Sequence, residues 1–292
     1  MPSEFDSFEL YRADVGDNVH IAYRRSGTGS PVVLLHGWPQ HSLMWHAIAP
    51  RLAEHFTVIV PDLRGAGAST IARSGYDKMT MARDVHTLLA QLELGPINLA
   101  GYDLGAGVAC AFGQQFPDEV GRLAVMEFAL AGFGFEEQMT PQPDWSLGSN
   151  WHLALFSVPE AAEWLCRGRE RELLSWFFWH LSYAGGRVSA IHFEEYVRQV
   201  SKPGGLRAGI EYYAAVWRDA QDNAGMKDRP LAMPALALGG EASSGPALDL
   251  IWSKVLSNLR TDVIPRAGHW LGDENPDAVA NALLAFFGEA RP

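Results

Sequence analysis

Ile97-Asn98-Leu99-Ala100-Gly101-Tyr102-Asp103-Leu104-Gly105-Ala106-Gly107 is the stretch on which the reading of this chain turns. A short apolar run passes into small-x-Asp-x-small, and an Ala- and Gly-rich stretch suited to a helix follows. That is the pattern of a strand bending so sharply into a helix that one side chain stands alone at the tip. Glycine suits positions 101 and 105, because a Cβ at either would strike neighbouring backbone in so tight a turn. The tip residue is Asp103, at a place where serine is more usual. A carboxylate there can attack carbon and form an ester. It can also be a plain helix N-cap on a surface turn, a role for which Asp is favoured. The flanking sequence has to separate the two.

Upstream, residues 79–94 have helical periodicity and close at Gly95-Pro96. Residues 31–36 and 56–61 are nearly continuous apolar runs, the mark of strands buried on both faces. The segment between them, 43–54, predicts one helix. Residues 8–13 and 19–23 alternate around Gly16-Asp17-Asn18 and predict an antiparallel hairpin. Downstream, a helix over 104–116 stops at Pro117, and a strand covers 123–126. Strands alternating with helices at this spacing imply right-handed crossovers and a mostly parallel sheet. After Glu127 the rhythm breaks. Residues 129–222 contain no strand-like run but many aromatics, among them Trp145, Trp151, Trp164, Trp176, Trp179 and Trp217. This reads as a helical insertion over the carboxyl edge of the sheet, where open α/β sheets bind ligands. Most of its aromatics are expected simply to glue helices together. Alternation resumes with a strand at 233–238, a helix over 247–259, a strand at 261–264 and a closing helix over 276–287. The expected division is a core of 1–128 and 223–292 and a helical cap of 129–222.

With 292 residues and 48% hydrophobic content, the chain can build one large domain, or a core with an insertion. The formal net charge is −11 and no run of Lys or Arg occurs, which argues against nucleic acid or an anionic membrane as partner. Cys110 and Cys166 lie in apolar helical patterns without metal-ligand spacing and read as reduced core thiols of a cytoplasmic protein. The opening residues Met1 to Asp6 lack the basic and apolar regions of a secretory signal. No apolar run approaches the ~20 residues that a membrane-spanning helix needs.

His269, in Gly268-His269-Trp270, follows the last predicted strand and so returns to the sheet edge beside the Asp103 turn. With an ordinary pKa of ~6.5 it can take a proton from water at neutral pH. It needs a carboxylate to orient it. Two candidates exist. Glu127 directly follows the buried run 123–126, where an unpaired charge is costly, and this favours a partnered role. Glu241, the alternative, sits among Gly239, Gly240, Ser243, Ser244 and Gly245, an ordinary solvated-loop setting. His36-Gly37-Trp38-Pro39 supplies a second loop at the same edge. The backbone N–H groups of Trp38 and Leu104 are candidates for an oxyanion hole.

Taken together, His36-Gly37-Trp38-Pro39, the segment 62–69, Gly101-Tyr102-Asp103-Leu104-Gly105 and Gly268-His269-Trp270 resemble the α/β-hydrolase-fold epoxide hydrolases. The likeness runs over essentially the whole chain and is greatest to the Cif-type bacterial members. It implies an α/β-hydrolase fold with a helical lid, Asp103 as nucleophile, Glu127 as charge-relay acid and His269 as base. It also implies His152, in Asn150-Trp151-His152, and Tyr213, in Ile210-Glu211-Tyr212-Tyr213, as ring-opening acids. No metal or organic cofactor is implied, only an epoxide and water. The Cif prototype is exported, and this chain departs from it in showing no export signal. The chemistry is consistent with the lid assignments. When a carboxylate attacks an epoxide carbon, charge grows on the ring oxygen, and a donor on the opposite face must meet it.

The nearest alternative shares the nucleophile. Haloalkane dehalogenases typically carry Trp after the nucleophile, where this chain has Leu104. Fluoroacetate dehalogenases clamp a carboxylate with Arg just after the nucleophile and put Trp after the lid His. Here those places hold Leu104, Ala106, Gly107 and Leu153, so no cation is available for a small anionic acid. A neutral, fairly apolar substrate is expected. A catalytically silent ligand-binding protein is the remaining alternative, since fold alone does not prove function. A homodimer is compatible with this reading.

Overall fold

A computed structural model of the chain describes residues 4–140, 150–186 and 188–289. Its strands are β1 (Glu9–Asp14), β2 (His20–Ser26), β3 (Pro31–Leu35), β4 (Thr57–Pro61), β5 (Ile97–Tyr102), β6 (Val120–Met126), β7 (Ala235–Gly240) and β8 (Leu259–Ile264). They form one sheet in the order β1-β2-β4-β3-β5-β6-β7-β8. The β1–β2 hairpin and the β2–β4 pair are antiparallel, and every other pair is parallel. All residues of β4 and β5 are buried, as mostly apolar strands covered on both faces are, and Thr57 and Asn98 are buried with them. Alternate residues of β3 serve two separate cores. Val33 and Leu35 pack with Met81, Val85, Val108 and Phe112 of the helices Lys78–Gln91 and Leu104–Gln115. Val32 and Leu34 pack with Ile48, Leu52, Val279 and Leu283 on the other face.

Two expected helices are cut short. Residues 43–54 form a 3-10 turn, Ser42–Trp45, and then the short helix Ala49–Ala53. Pro50 has no N–H to continue a helix and sits in the first turn of a new one, while Asp62 Oδ1 holds the Ser42 amide at 2.8 Å. Residues 247–259 are helical only over Leu248–Trp252. Beyond that, Leu231 takes over the backbone groups of Val255 and Ser257, and β8 begins at Leu259.

Between β6 and β7 the described residues form helices and no strand. The helices Trp151–Phe156, Pro159–Cys166, Glu170–His180, Ala190–Val200, Gly205–Ala214 and Val216–Asn223 make the lid. Trp145 lies outside the described residues, as do Met1 to Ser3. Phe177, Phe178, Tyr196, Tyr212 and Tyr213 are buried as expected, but Trp164, Trp179 and Trp217 are 81%, 64% and 56% exposed. Polar contacts fasten the lid to the core. Lys78 Nζ reaches Asp219 Oδ2 at 2.9 Å and donates to the Tyr212 carbonyl at 2.7 Å, while the Tyr212 hydroxyl donates to the Arg64 carbonyl. Cys110 and Cys166 are buried free thiols. Among the described residues no helix is long and apolar enough to cross a membrane.

Candidate active site

Asp103 stands at the turn between β5 and the helix Leu104–Gln115 with φ 51° and ψ −129°, a conformation non-glycine residues rarely adopt. Its side chain makes no capping bond to that helix. Instead Oδ1 accepts the Trp38 amide at 2.9 Å, and the nearby Leu104 amide also favours the charged carboxylate. The carboxylate therefore does not cap the helix, and Oδ1 faces the Trp38 amide, one of the two expected at this place. The turn tolerates only glycine beside it. A Cβ on Gly101 would lie 2.3 Å from the Gly105 carbonyl oxygen, and one on Gly105 would lie 2.4 Å from that of His36. The second carboxylate oxygen, Oδ2, lies 3.8 Å from His269 Nε2.

Glu127 directly follows β6, also with positive φ (50°), and is buried. Its Oε1 accepts the Gly240 amide at 2.6 Å and the Ser244 hydroxyl at 2.8 Å. Its Oε2 accepts the Ser243 hydroxyl at 2.7 Å and lies 3.0 Å from His269 Nδ1. Glu241 is exposed and its Oε2 accepts the Arg266 amide at 2.8 Å, away from His269. The structure thus brings Glu127, and not Glu241, to the imidazole. The loop after β7, expected to be ordinary solvated surface, turns out to supply the hydroxyls that hold Glu127.

Over these groups lies a cavity of about 510 Å³. Trp38, Asp103 and His269 line its floor, and His152, Leu153, Phe177 and Tyr213 line the lid side. No Lys or Arg is among the described residues that line it. The His152 and Tyr213 rings meet edge to face with centroids 5.4 Å apart, and both pack on Trp38. His152 Nδ1 is enclosed without a protein hydrogen-bond partner.

Residues 30–163 match the family model of the alpha/beta hydrolase fold. The chain is 34% identical to the soluble epoxide hydrolase of Corynebacterium sp. (strain C12), covering 92% of this chain and 94% of that one. The chain belongs to the α/β-hydrolase-fold epoxide hydrolases. It is also 30% identical to a fluoroacetate dehalogenase from Burkholderia sp., over 98% of this chain and 96% of that one. Among solved structures, wild-type Cfl2 from Burkholderia cenocepacia superposes with a TM-score of 0.91 at 31% identity, covering 96% of each chain.

In this epoxide hydrolase family member, the buried groups are electrostatically coupled. Burial pushes the Asp103 carboxyl above its ordinary value, and the His269 charge and the two amides oppose that. Burial works against the His269 imidazolium, but the Glu127 hydrogen bond and the charges of Glu127 and Asp103 outweigh it and raise His269. Burial, with His269 nearby, lowers His152 to about 3, so it is a neutral N–H donor at working pH. Burial and the Asp103 charge keep the Tyr213 hydroxyl protonated far beyond neutrality.

Several supporting residues escaped the sequence reading. The Tyr102 hydroxyl donates to the His269 carbonyl. Glu274 accepts the Gly268 amide at 2.7 Å and the Tyr183 amide at 2.6 Å, tying the His269 loop to the lid. Tyr102 lies inside the opening motif, yet nothing local announces its partner. Ser243 and Ser244 flank the rejected Glu241, and only the register of β6 against β7 puts them beside Glu127.

Proposed function

We propose that this enzyme hydrolyses a neutral, apolar epoxide to a vicinal diol through a covalent ester on Asp103. The observation that carries this is the unequal treatment of the two Asp103 oxygens. Oδ1 accepts the Trp38 amide at 2.9 Å, while Oδ2 lies on the His269 side, 3.8 Å from Nε2. Oδ2 then attacks a ring carbon, the C–O bond of the epoxide breaks, and the electron pair leaves on oxygen. Tyr213 O–H and His152 N–H meet that oxygen from the lid, and it acquires a proton to become the first hydroxyl. His269, oriented by Glu127, next takes a proton from water, and the hydroxide attacks the ester carbonyl carbon. Charge gathers on Oδ1, where the Trp38 amide already points. Collapse breaks the Cγ–Oδ2 bond, the leaving alkoxide takes the proton held by His269, and the diol departs as the Asp103 carboxylate is regenerated.

One consequence favours the order of these steps. Esterification removes the Asp103 charge that helps to raise His269. The imidazole therefore loses affinity for its proton just when a base is needed. No cation among the described cavity residues could hold a substrate carboxylate, which supports a neutral substrate over a haloacetate. Residues 129–222 act as the lid unit on a core of 1–128 and 223–292 in this reading, which follows the Cif-type arrangement and a cytoplasmic location.

The dehalogenase reading, favoured by the second relative, uses the same ester and is separated by product. Purified enzyme should turn styrene oxide or an epoxy-fatty acid into diol and release no fluoride from fluoroacetate. With His269→Gln, hydrolysis should slow by about 10² to 10⁴. Intact mass should then rise by one substrate mass, on a peptide containing Asp103. Fluoride release without diol, or an unshifted mass, counts against the proposal.

A further inference from the structure

Away from the cavity, three side chains able to bind a cation meet where the lid rests on the core. His46 follows the 3-10 turn Ser42–Trp45, His192 is in the first turn of the lid helix Ala190–Val200, and Asp273 belongs to the short helix Leu271–Glu274. One ligand atom from each lies within 4.8 Å of the other two, and all three residues are partly buried. The two imidazoles are in edge-to-face contact with centroids 4.1 Å apart. None of the three lines the cavity described above.

Two of them are also braced from behind, as metal ligands are. His46 Nδ1 lies 3.2 Å from the Leu43 carbonyl oxygen, a contact that orients the ring. Asp273 Oδ2 accepts the Gln40 amide at 2.9 Å, which orients the carboxylate and leaves Oδ1 for coordination. The lid contributes its own fixed point, since Ser189 caps the helix by accepting the His192 amide at 3.2 Å.

We propose that His46, His192 and Asp273 form a site for one zinc-type divalent cation that clasps the lid helix to the core. Two neutral imidazoles and one carboxylate are a donor set suited to zinc, with bonds of about 2.0 to 2.2 Å. The ligand atoms draw together by about 1 Å to reach that shell, a rotamer adjustment for partly buried side chains, and water completes the tetrahedron. The ion's part is mechanical. It joins the lid helix to the segment behind the Trp38 loop and to the helix after His269, and it is independent of the reaction proposed above.

The test uses the full chain, stripped of metal with a chelator and titrated with zinc chloride. Calorimetry should find one equivalent bound, and the unfolding temperature should rise with the logarithm of free zinc. Cobalt in its place should show the visible absorption of a tetrahedral site. His192→Ala and His46→Ala, each shown by circular dichroism to be folded, should lose at least about 100-fold in affinity and the zinc-dependent rise. Asp273→Asn, which preserves shape and the Gln40 contact, should weaken binding as well. Absence of saturable binding in the wild type overturns the proposal. So does one-equivalent binding that persists in both histidine variants, because it would place zinc elsewhere on the chain.

Discussion

Asp103 and His269 are a coupled pair, and the coupling has a measurable sign. Each holds its proton more tightly than it would alone in water, Asp103 through burial and His269 through Glu127 and Asp103 itself. Removing a neighbouring negative charge lowers the pKa of an imidazole. The ester form of the enzyme should therefore release the His269 proton at lower pH than the free enzyme does. In single-turnover experiments, ester hydrolysis should rise with pH around a midpoint below the His269 titration seen by NMR in the resting protein. An equal or higher midpoint would mean that Asp103 keeps its charge through the reaction, and the covalent step would be wrong. His152, lowered to about 3, should contribute no titration to this profile.

At the scale of elements, the deciding contact is between the end of β6 and the loop after β7. Parallel pairing of Met126 with Leu238 sets Glu127 beside Gly240, so that its carboxylate meets one amide and two hydroxyls as well as His269. Glu127→Gln keeps the shape but removes the charge that orients and supports the imidazolium. Turnover should fall by about 10²-fold or more, whereas Glu241→Gln should leave it within twofold, as steady-state diol formation would report. The opposite outcome would return the acid's role to Glu241. This part of the site was only half legible in advance. Burial of the run before it marked Glu127 as a residue needing partners, but the partners come from a loop more than 100 residues away. The helices expected over 43–54 and 247–259 failed for a related reason. Local periodicity reports a tendency to be helical, while Pro50 and the strand-like pairing of Leu231 with Leu256 overrule it.

Across the whole molecule, lid and core are joined by the buried Lys78–Asp219 pair, with Lys78 in the core helix and Asp219 in the last lid helix. Burial pushes the Asp219 carboxyl above the usual range even with the Lys78 ammonium against it, so desolvation outweighs the attraction. Such a pair specifies how two parts dock more than it stabilises them. Lys78→Met should destabilise the protein by about 3 to 5 kcal/mol, because Asp219 is left charged and buried. The double variant Lys78→Met with Asp219→Leu should recover most of that loss in denaturant unfolding. A double variant no better than the single one would mean that the pair stabilises in its own right.

The residues of one strand, one turn or one loop were enough to establish the alternating core, the strained turn carrying Asp103, the Trp38 loop and the histidine after the last strand. Each of those depends on periodicity and on steric limits that act within a few residues. What needed the folded chain was every choice between distant candidates: which glutamate reaches the imidazole, which hydroxyls hold that glutamate, which lid aromatics face the cavity and which face water. Those outcomes depend on sheet register and on how the helices lie over the carboxyl ends of the strands. Both are set by packing between segments far apart in the chain, to which no local pattern is sensitive.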